Sequence, residues 1–210
     1  MNKEFHVITT GQQSEAQLVD ILSNIHPYVD MIHLREKTKT AKELSQIIMA
    51  LIEKGVPKEK LVINDRVDVA VAFNVKGVQL AYHSLNAKVV KENFPTLRVG
   101  CSIHSKKEAI KAHKDGADYT IYGHVYETSC KPNSLPRGLK ELEEIVKKVK
   151  IPVLAIGGVK PDRVQDILKT GASGIAVMSG VLLADDPVRA AKGYASILKN
   201  WGVKHEYPKV

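Results

Sequence analysis

The chain has 210 residues, a formal charge of +8 and only 5% aromatic residues, a length suited to one domain with one core. Its positive charge favours an acidic partner, but the lysines are interspersed with acids, as in Glu141 to Lys150, and no helix-turn-helix, zinc-finger or RNP-like pattern occurs, so a small phosphorylated molecule is expected rather than nucleic acid. No apolar run reaches the roughly 20 residues of a membrane span, and Cys101 and Cys130 form no C-x-x-C pair, so the expectation is a cytoplasmic protein with no membrane contact, metal cluster or disulfide framework.

Short β-rich runs alternate with helical ones along the whole chain. Strands are expected at Phe5 to Thr10, Met31 to Arg35, Leu61 to Asn64, Gly77 to Leu80, Arg98 to Ile103, Tyr119 to Tyr122, Pro152 to Gly157 and Gly174 to Met178. Helical runs between them include Thr40 to Lys54, Ser105 to Asp115, Leu139 to Val149, Asp162 to Thr170 and Pro187 to Leu198. Eight such units predict an α/β fold, a single-domain (β/α)8 TIM barrel over 1–200 of the domain 1–210, with a tail over 201–210. Glycine-bearing junctions at 73–77, 114–118 and 169–173 fit helix ends that turn back into strands. An open doubly wound sheet is the alternative, although its G-x-G-x-x-G fingerprint is missing from the first strand-helix turn.

In a parallel barrel the C-terminal strand ends converge on the active site. The second strand ends His33-Leu34-Arg35-Glu36-Lys37, and period-two alternation puts His33, Arg35 and Lys37 on one side. Arg35 and Lys37 suit an anion, or else pair structurally with Glu36 and Asp65. Asn64 and Asp65 end the third strand, offering ligand contacts or a helix cap. On the fifth, Ser102 can donate to a ligand, while Ser105 with Glu108 reads as a helix start.

After the sixth strand, His124 is the candidate catalytic residue, because an imidazole can take and return a proton near neutral pH; a structural role is the alternative. The long segment from Glu127 to Arg137 follows. The last two strands end in Gly157-Gly158 and Ser179-Gly180, each before a helix-compatible stretch, which suits a phosphate, although glycine there also fits a plain tight turn. His33, His83 and His124 lack metal-ligand spacing, so no metal is expected.

Six blocks carry a resemblance to a known family: H-L-R-E-K (33 to 37), N-D-R (64 to 66), G-C-S-I-H-S (100 to 105), D-Y-T-I-Y-G-H-V-Y-E-T-S-C-K (118 to 131), A-I-G-G-V (155 to 159) and A-V-M-S-G (176 to 180). Together they resemble the thiamine phosphate synthase superfamily over almost the whole chain. The resemblance implies that Gly157, Gly158, Ser179 and Gly180 hold a thiazole phosphate, with Arg35, Lys37, Asn64, Ser102, Thr128 and Lys131 around the rest of the pocket. The Mg²⁺-dependent synthase pattern has an aspartate at Ser84, a histidine at Gln79, a glutamine at His33 and a proline at His124. These departures point to the thiazole tautomerase (TenI-type) branch, a cofactor-independent isomerase of thiamine biosynthesis. There His124 is expected to move a proton from ring C2 of a phosphorylated carboxythiazole to its exocyclic carbon, with the carboxylate near Arg35 or Lys37. Two other readings stand beside it: a Mg²⁺-dependent thiamine phosphate synthase, and a catalytically silent thiazole-phosphate-binding regulatory barrel. A homodimer is compatible with any of the three.

Overall fold

The structure, a computed structural model, describes residues 3–128 and 134–202. It is a closed barrel of eight parallel strands: β1 (Glu4–Ile8), β2 (Met31–Leu34), β3 (Leu61–Asn64), β4 (Gly77–Leu80), β5 (Arg98–Ile103), β6 (Tyr119–Gly123), β7 (Val153–Ile156) and β8 (Gly174–Val177). Each strand pairs with the next, and β8 closes on β1 through Glu4 with Gly174 and Val7 with Val177. That closing pair excludes the open doubly wound sheet. Between and after the strands lie α1 (Glu15–Ile25), α2 (Ala41–Glu53), α3 (Val67–Ala72), α4 (Ala87–Asn93), α5 (Lys106–Lys114), α6 (Gly138–Lys148), α7 (Val164–Lys169), α8 (Ser179–Leu182) and α9 (Pro187–Lys199). None of the described helices is long and apolar enough to cross a membrane.

Local chemistry starts several of these helices. Ser14 with Gln17 and Thr40 with Glu43 form capping boxes ahead of α1 and α2. Ser105 caps α5 as expected, accepting from the Glu108 amide, and Glu108 Oε2 accepts from the His104 amide at 2.6 Å. Helix α2 then turns Leu44, Ile47, Ile48 and Leu51 onto the sheet, each fully or nearly fully buried. Burial of one such side chain stabilises by roughly 1.5–3 kcal/mol, so truncating Ile47 to alanine would loosen this helix.

The glycine junctions divide by cause. Gly116 and Gly171 have φ of 84° and 89°, the left-handed conformation that ends a helix. At the third junction Asn74 takes that role with φ 48°, while a Cβ on Gly77 would lie 2.1 Å from the Arg98 carbonyl oxygen. Gly77 therefore serves close strand approach rather than helix ending.

Two cores follow from strand alternation. Outward residues such as Val7, Ile32, Ile63 and Val99 pack with the helices. Inward residues form a smaller apolar cluster of Ile8, Tyr119, Ile121, Leu154 and Ala176. Glu4, His6, His33 and Arg98 join one another in a polar network linking β1, β2 and β5. His33 is fully buried within that network, so the alternation that aligns it with Arg35 describes its side of the strand but not its depth.

Candidate active site

A cavity of about 1750 Å³ opens at the C-terminal ends of the strands. Every described candidate borders it: Arg35, Lys37, Asn64, Ser102, His124, Thr128, Gly157, Gly158, Ser179 and Gly180. Lys131 lies outside the described residues.

One sector of the rim is the pair of glycine strand ends after β7 and β8. Gly157 and Gly158 have φ of 96° and 63°. A Cβ on Gly158 would meet the Glu127 carbonyl oxygen at 2.3 Å. Glycine is thus required both for backbone angle and for close approach. Two side chains hold this loop: from outside the cavity, Arg163 Nη1 donates to the Gly158 carbonyl at 2.9 Å, its guanidinium 4.6 Å above the Tyr126 ring. Tyr194 Oη donates to the Val159 carbonyl at 2.9 Å.

A second sector, after β2 and β3, is cationic. Among the described residues neither Arg35 nor Lys37 makes an ion pair, so the structural pairing with Glu36 and Asp65 does not occur. The Arg35 amide donates to Thr9 Oγ1 at 2.8 Å, which fixes this strand end. Lys39 joins the rim one turn later. Arg66 is committed to Asp68 at 2.6 Å, and that hydrogen bond raises its pKa. Neither Asn64 nor Asp65 caps α3, whose N-cap is Arg66 without a side-chain bond. Glu36, read from sequence only as a counter-ion, is buried at the cavity edge, with Oε1 lacking a partner among the described residues.

Between these sectors Ser102 Oγ accepts from Gln79 Nε2 at 3.0 Å, leaving its own proton for a ligand. His124 follows β6 and is 5% exposed. Its Nε2 lies 3.1 Å from the Ser134 carbonyl, and its carbonyl accepts from the Arg137 amide at 3.0 Å. His124 thus ties the far end of the 127–137 segment to the barrel. His104 Nδ1, not singled out from sequence, makes a 2.6 Å bond to the Gly123 carbonyl beside it.

The Mg²⁺ that the synthase resemblance implies would find few protein donors here. Mg²⁺ is usually held by one or two carboxylates with substrate phosphates. Asp65 offers one half-exposed carboxylate, 3.8 Å from His83 Nε2. Ser84 supplies no acid, and its Oγ accepts from the Ala81 amide at 2.8 Å. Among the described residues no group of three or more His, Cys, Asp or Glu is arranged to hold a metal. The described residues therefore form no all-protein Mg²⁺ cage, and a Mg²⁺ here would rest on Asp65 with substrate phosphates completing its shell.

The thiamine monophosphate synthase family matches residues 5–181. A thiamine-phosphate synthase of Pyrococcus furiosus is 35% identical over 199 residues, covering 94% of this chain and 96% of its own. One from Methanococcus maripaludis is 30% identical over the same shares. A solved thiamine phosphate pyrophosphorylase from Pyrococcus furiosus superposes with a TM-score of 0.80 at 33% identity, covering 94% of this chain and 96% of that one. A 3-hexulose-6-phosphate synthase at 20% identity, with a TM-score of 0.72 and covering 92% of this chain and 99% of that one, shares the fold alone.

These similarities overturn the expected tautomerase branch and, with it, the isomerase chemistry and the proton transfer given to His124. That expectation weighed chiefly two positions. In the structure Ser84 is folded onto its own turn and His124 binds the Ser134 carbonyl. Neither outweighs synthase similarity running along 94% of the chain. The chain belongs to the thiamine monophosphate synthase family.

Proposed function

We propose that this protein is a transferase of the thiamine-phosphate synthase type, acting on small phosphorylated heterocycles of thiamine biosynthesis. It condenses an aminopyrimidine pyrophosphate with thiazole phosphate and releases pyrophosphate. The observation that carries this reading is the presence of two anion-compatible sectors on the rim of one cavity, glycine-built after β7 and β8 and cationic after β2 and β3.

In this reading Gly157, Gly158, Ser179 and Gly180 receive the thiazole phosphate, where glycine lets the ligand approach the backbone closely. Arg35 and Lys37, assisted by Lys39, receive the pyrophosphate. Their charges stabilise the negative charge that grows on the leaving group, and Arg35 adds bidentate geometry to the point charge of Lys37. Asn64, Ser102 and Thr128 orient the rings between the two anions, which converts a two-substrate encounter into a reaction between neighbours.

The test is pyrophosphate release measured with each substrate alone and with both together. The reading predicts release only when both are present. Equal release without thiazole phosphate would mean hydrolysis, and would reject transfer.

A further inference from the structure

A chain of polar side chains runs through the barrel interior to the cavity, and the proposed reaction leaves it without a role. Arg98 Nη2 donates to both Glu4 carboxylate oxygens, at 2.8 and 2.9 Å. His6 Nε2 lies 2.7 Å from Glu4 Oε2, and His6 Nδ1 lies 2.9 Å from His33 Nε2. Both rings are fully buried. Asn64 borders the cavity, and because His33 pairs with Val62 where β2 meets β3, Asn64 stands two residues further along the same face of the neighbouring strand. Among the described residues, His33 Nδ1 and Asn64 Oδ1 are buried without a hydrogen-bond partner. Two facing acceptors would explain both vacancies at once.

The direction of every bond follows from one end. The carboxylate of Glu4, paired with Arg98, can only accept, so His6 Nε2 carries a proton. Burial lowers the pKa of both imidazoles, leaving each with a single proton at neutral pH. His6 Nδ1 is then bare, and His33 must donate to it from Nε2. His33 Nδ1 is bare in turn and needs a donor. A carboxamide has two ends of equal size, so hydrogen bonding decides which end faces inward.

We propose that Arg98, Glu4, His6 and His33 form a positioning relay that turns the Asn64 amide nitrogen into the barrel and its oxygen toward the cavity. Asn64 then presents an acceptor of fixed orientation, suited to an amino group on a heteroaromatic substrate. Only that last contact rests on the synthase reading. A proton added to His6 would reverse the chain, giving His33 an Nδ1–H and drawing the Asn64 oxygen inward.

Nitrogen-15 NMR of the histidine rings at neutral pH tests the relay without any substrate. The expected result is a proton on Nε2 and a bare Nδ1 in both His6 and His33, with nuclear Overhauser contacts from the Asn64 amide protons to the His33 ring. A proton on Nδ1 of either ring would overturn it. The functional arm compares His33→Leu, which removes both donor and acceptor, with His33→Gln, whose amide keeps one of each. His33→Leu should raise KM for the aminopyrimidine pyrophosphate about tenfold with kcat little changed, the scale of one lost oriented hydrogen bond, and His33→Gln should restore it. Equal KM in wild type and folded His33→Leu would reject positioning. Should wild type show no turnover, the synthase reading fails while the ring tautomers and the Asn64 contacts still decide the relay; should His33→Leu not fold, the same NMR readout in wild type decides it.

Discussion

A Cβ placed on Gly157 would sit 2.2 Å from the Cβ of His124 and 2.7 Å from its Cα. The contact joins the glycine loop after β7 to the residue that binds the Ser134 carbonyl after β6. Neither partner can shift cheaply, because the obstructing atoms are main chain or next to it. Gly157→Ala should therefore lower stability by about 2–3 kcal/mol, from overpacking at a residue whose φ of 96° also disfavours a side chain. Urea unfolding measures this, and an unchanged midpoint would show that the loop has room to yield.

Tyr194 supports the same loop from α9. Its hydroxyl donates to the Val159 carbonyl at 2.9 Å, and a Cβ on Gly180 would lie 2.8 Å from the Tyr194 hydroxyl oxygen. Removing the hydroxyl with Tyr194→Phe should cost about 1 kcal/mol in urea unfolding and weaken thiazole phosphate binding measured by calorimetry. Unaltered affinity would separate this bond from the anion site.

Arg35 and Lys37 differ in kind from these supports. They make no ion pair among the described residues, so folding does not depend on them in that way. Arg35→Ala and Lys37→Ala should each raise KM for the pyrophosphate substrate at least about tenfold, while the unfolding free energy moves by less than about 0.5 kcal/mol. A large loss of stability in either would return the residue to a structural role.

Acid should act through the barrel interior. Burial alone would raise the Glu4 pKa, but bonding to His6 and the charge of Arg98 hold it down to about 2. A carboxylate depressed in the folded state contributes stability above its unfolded pKa, and loses it as pH falls toward 2. His6 and His33 are lowered chiefly by burial, so the unfolded chain takes their protons first. Stability should begin to fall below about pH 6.5 and continue falling through the carboxylate range. His33→Gln should flatten the upper part of that profile in urea unfolding followed across pH. An identical profile in the variant would show that His33 does not contribute.

Much of the barrel was legible because its strands are short apolar runs between glycine and capping residues. All eight strands fall within two residues of their expected ends, and Ser105 caps α5 as its spacing with Glu108 implies. Depth was not legible. Alternation aligns His33 with Arg35, but only the closed barrel shows that one is buried in the interior and the other lies on the rim. Nor does the residue type at Asn74 reveal that it, rather than Gly77, takes the left-handed turn. Lys39 and Glu36 reach the site through the curl of the chain after β2, which no periodicity encodes. The branch is set by similarity along the whole chain, which two positions such as Ser84 and His124 do not carry, each of them also having a local bond in the structure.

Transfer itself is the claim that most needs measurement. Purified protein should be incubated with aminopyrimidine pyrophosphate and thiazole phosphate, with and without added Mg²⁺, and the products resolved by mass. Thiamine phosphate should form in amounts matching the pyrophosphate released. Folded protein that binds thiazole phosphate but forms no thiamine phosphate under either condition would contradict it.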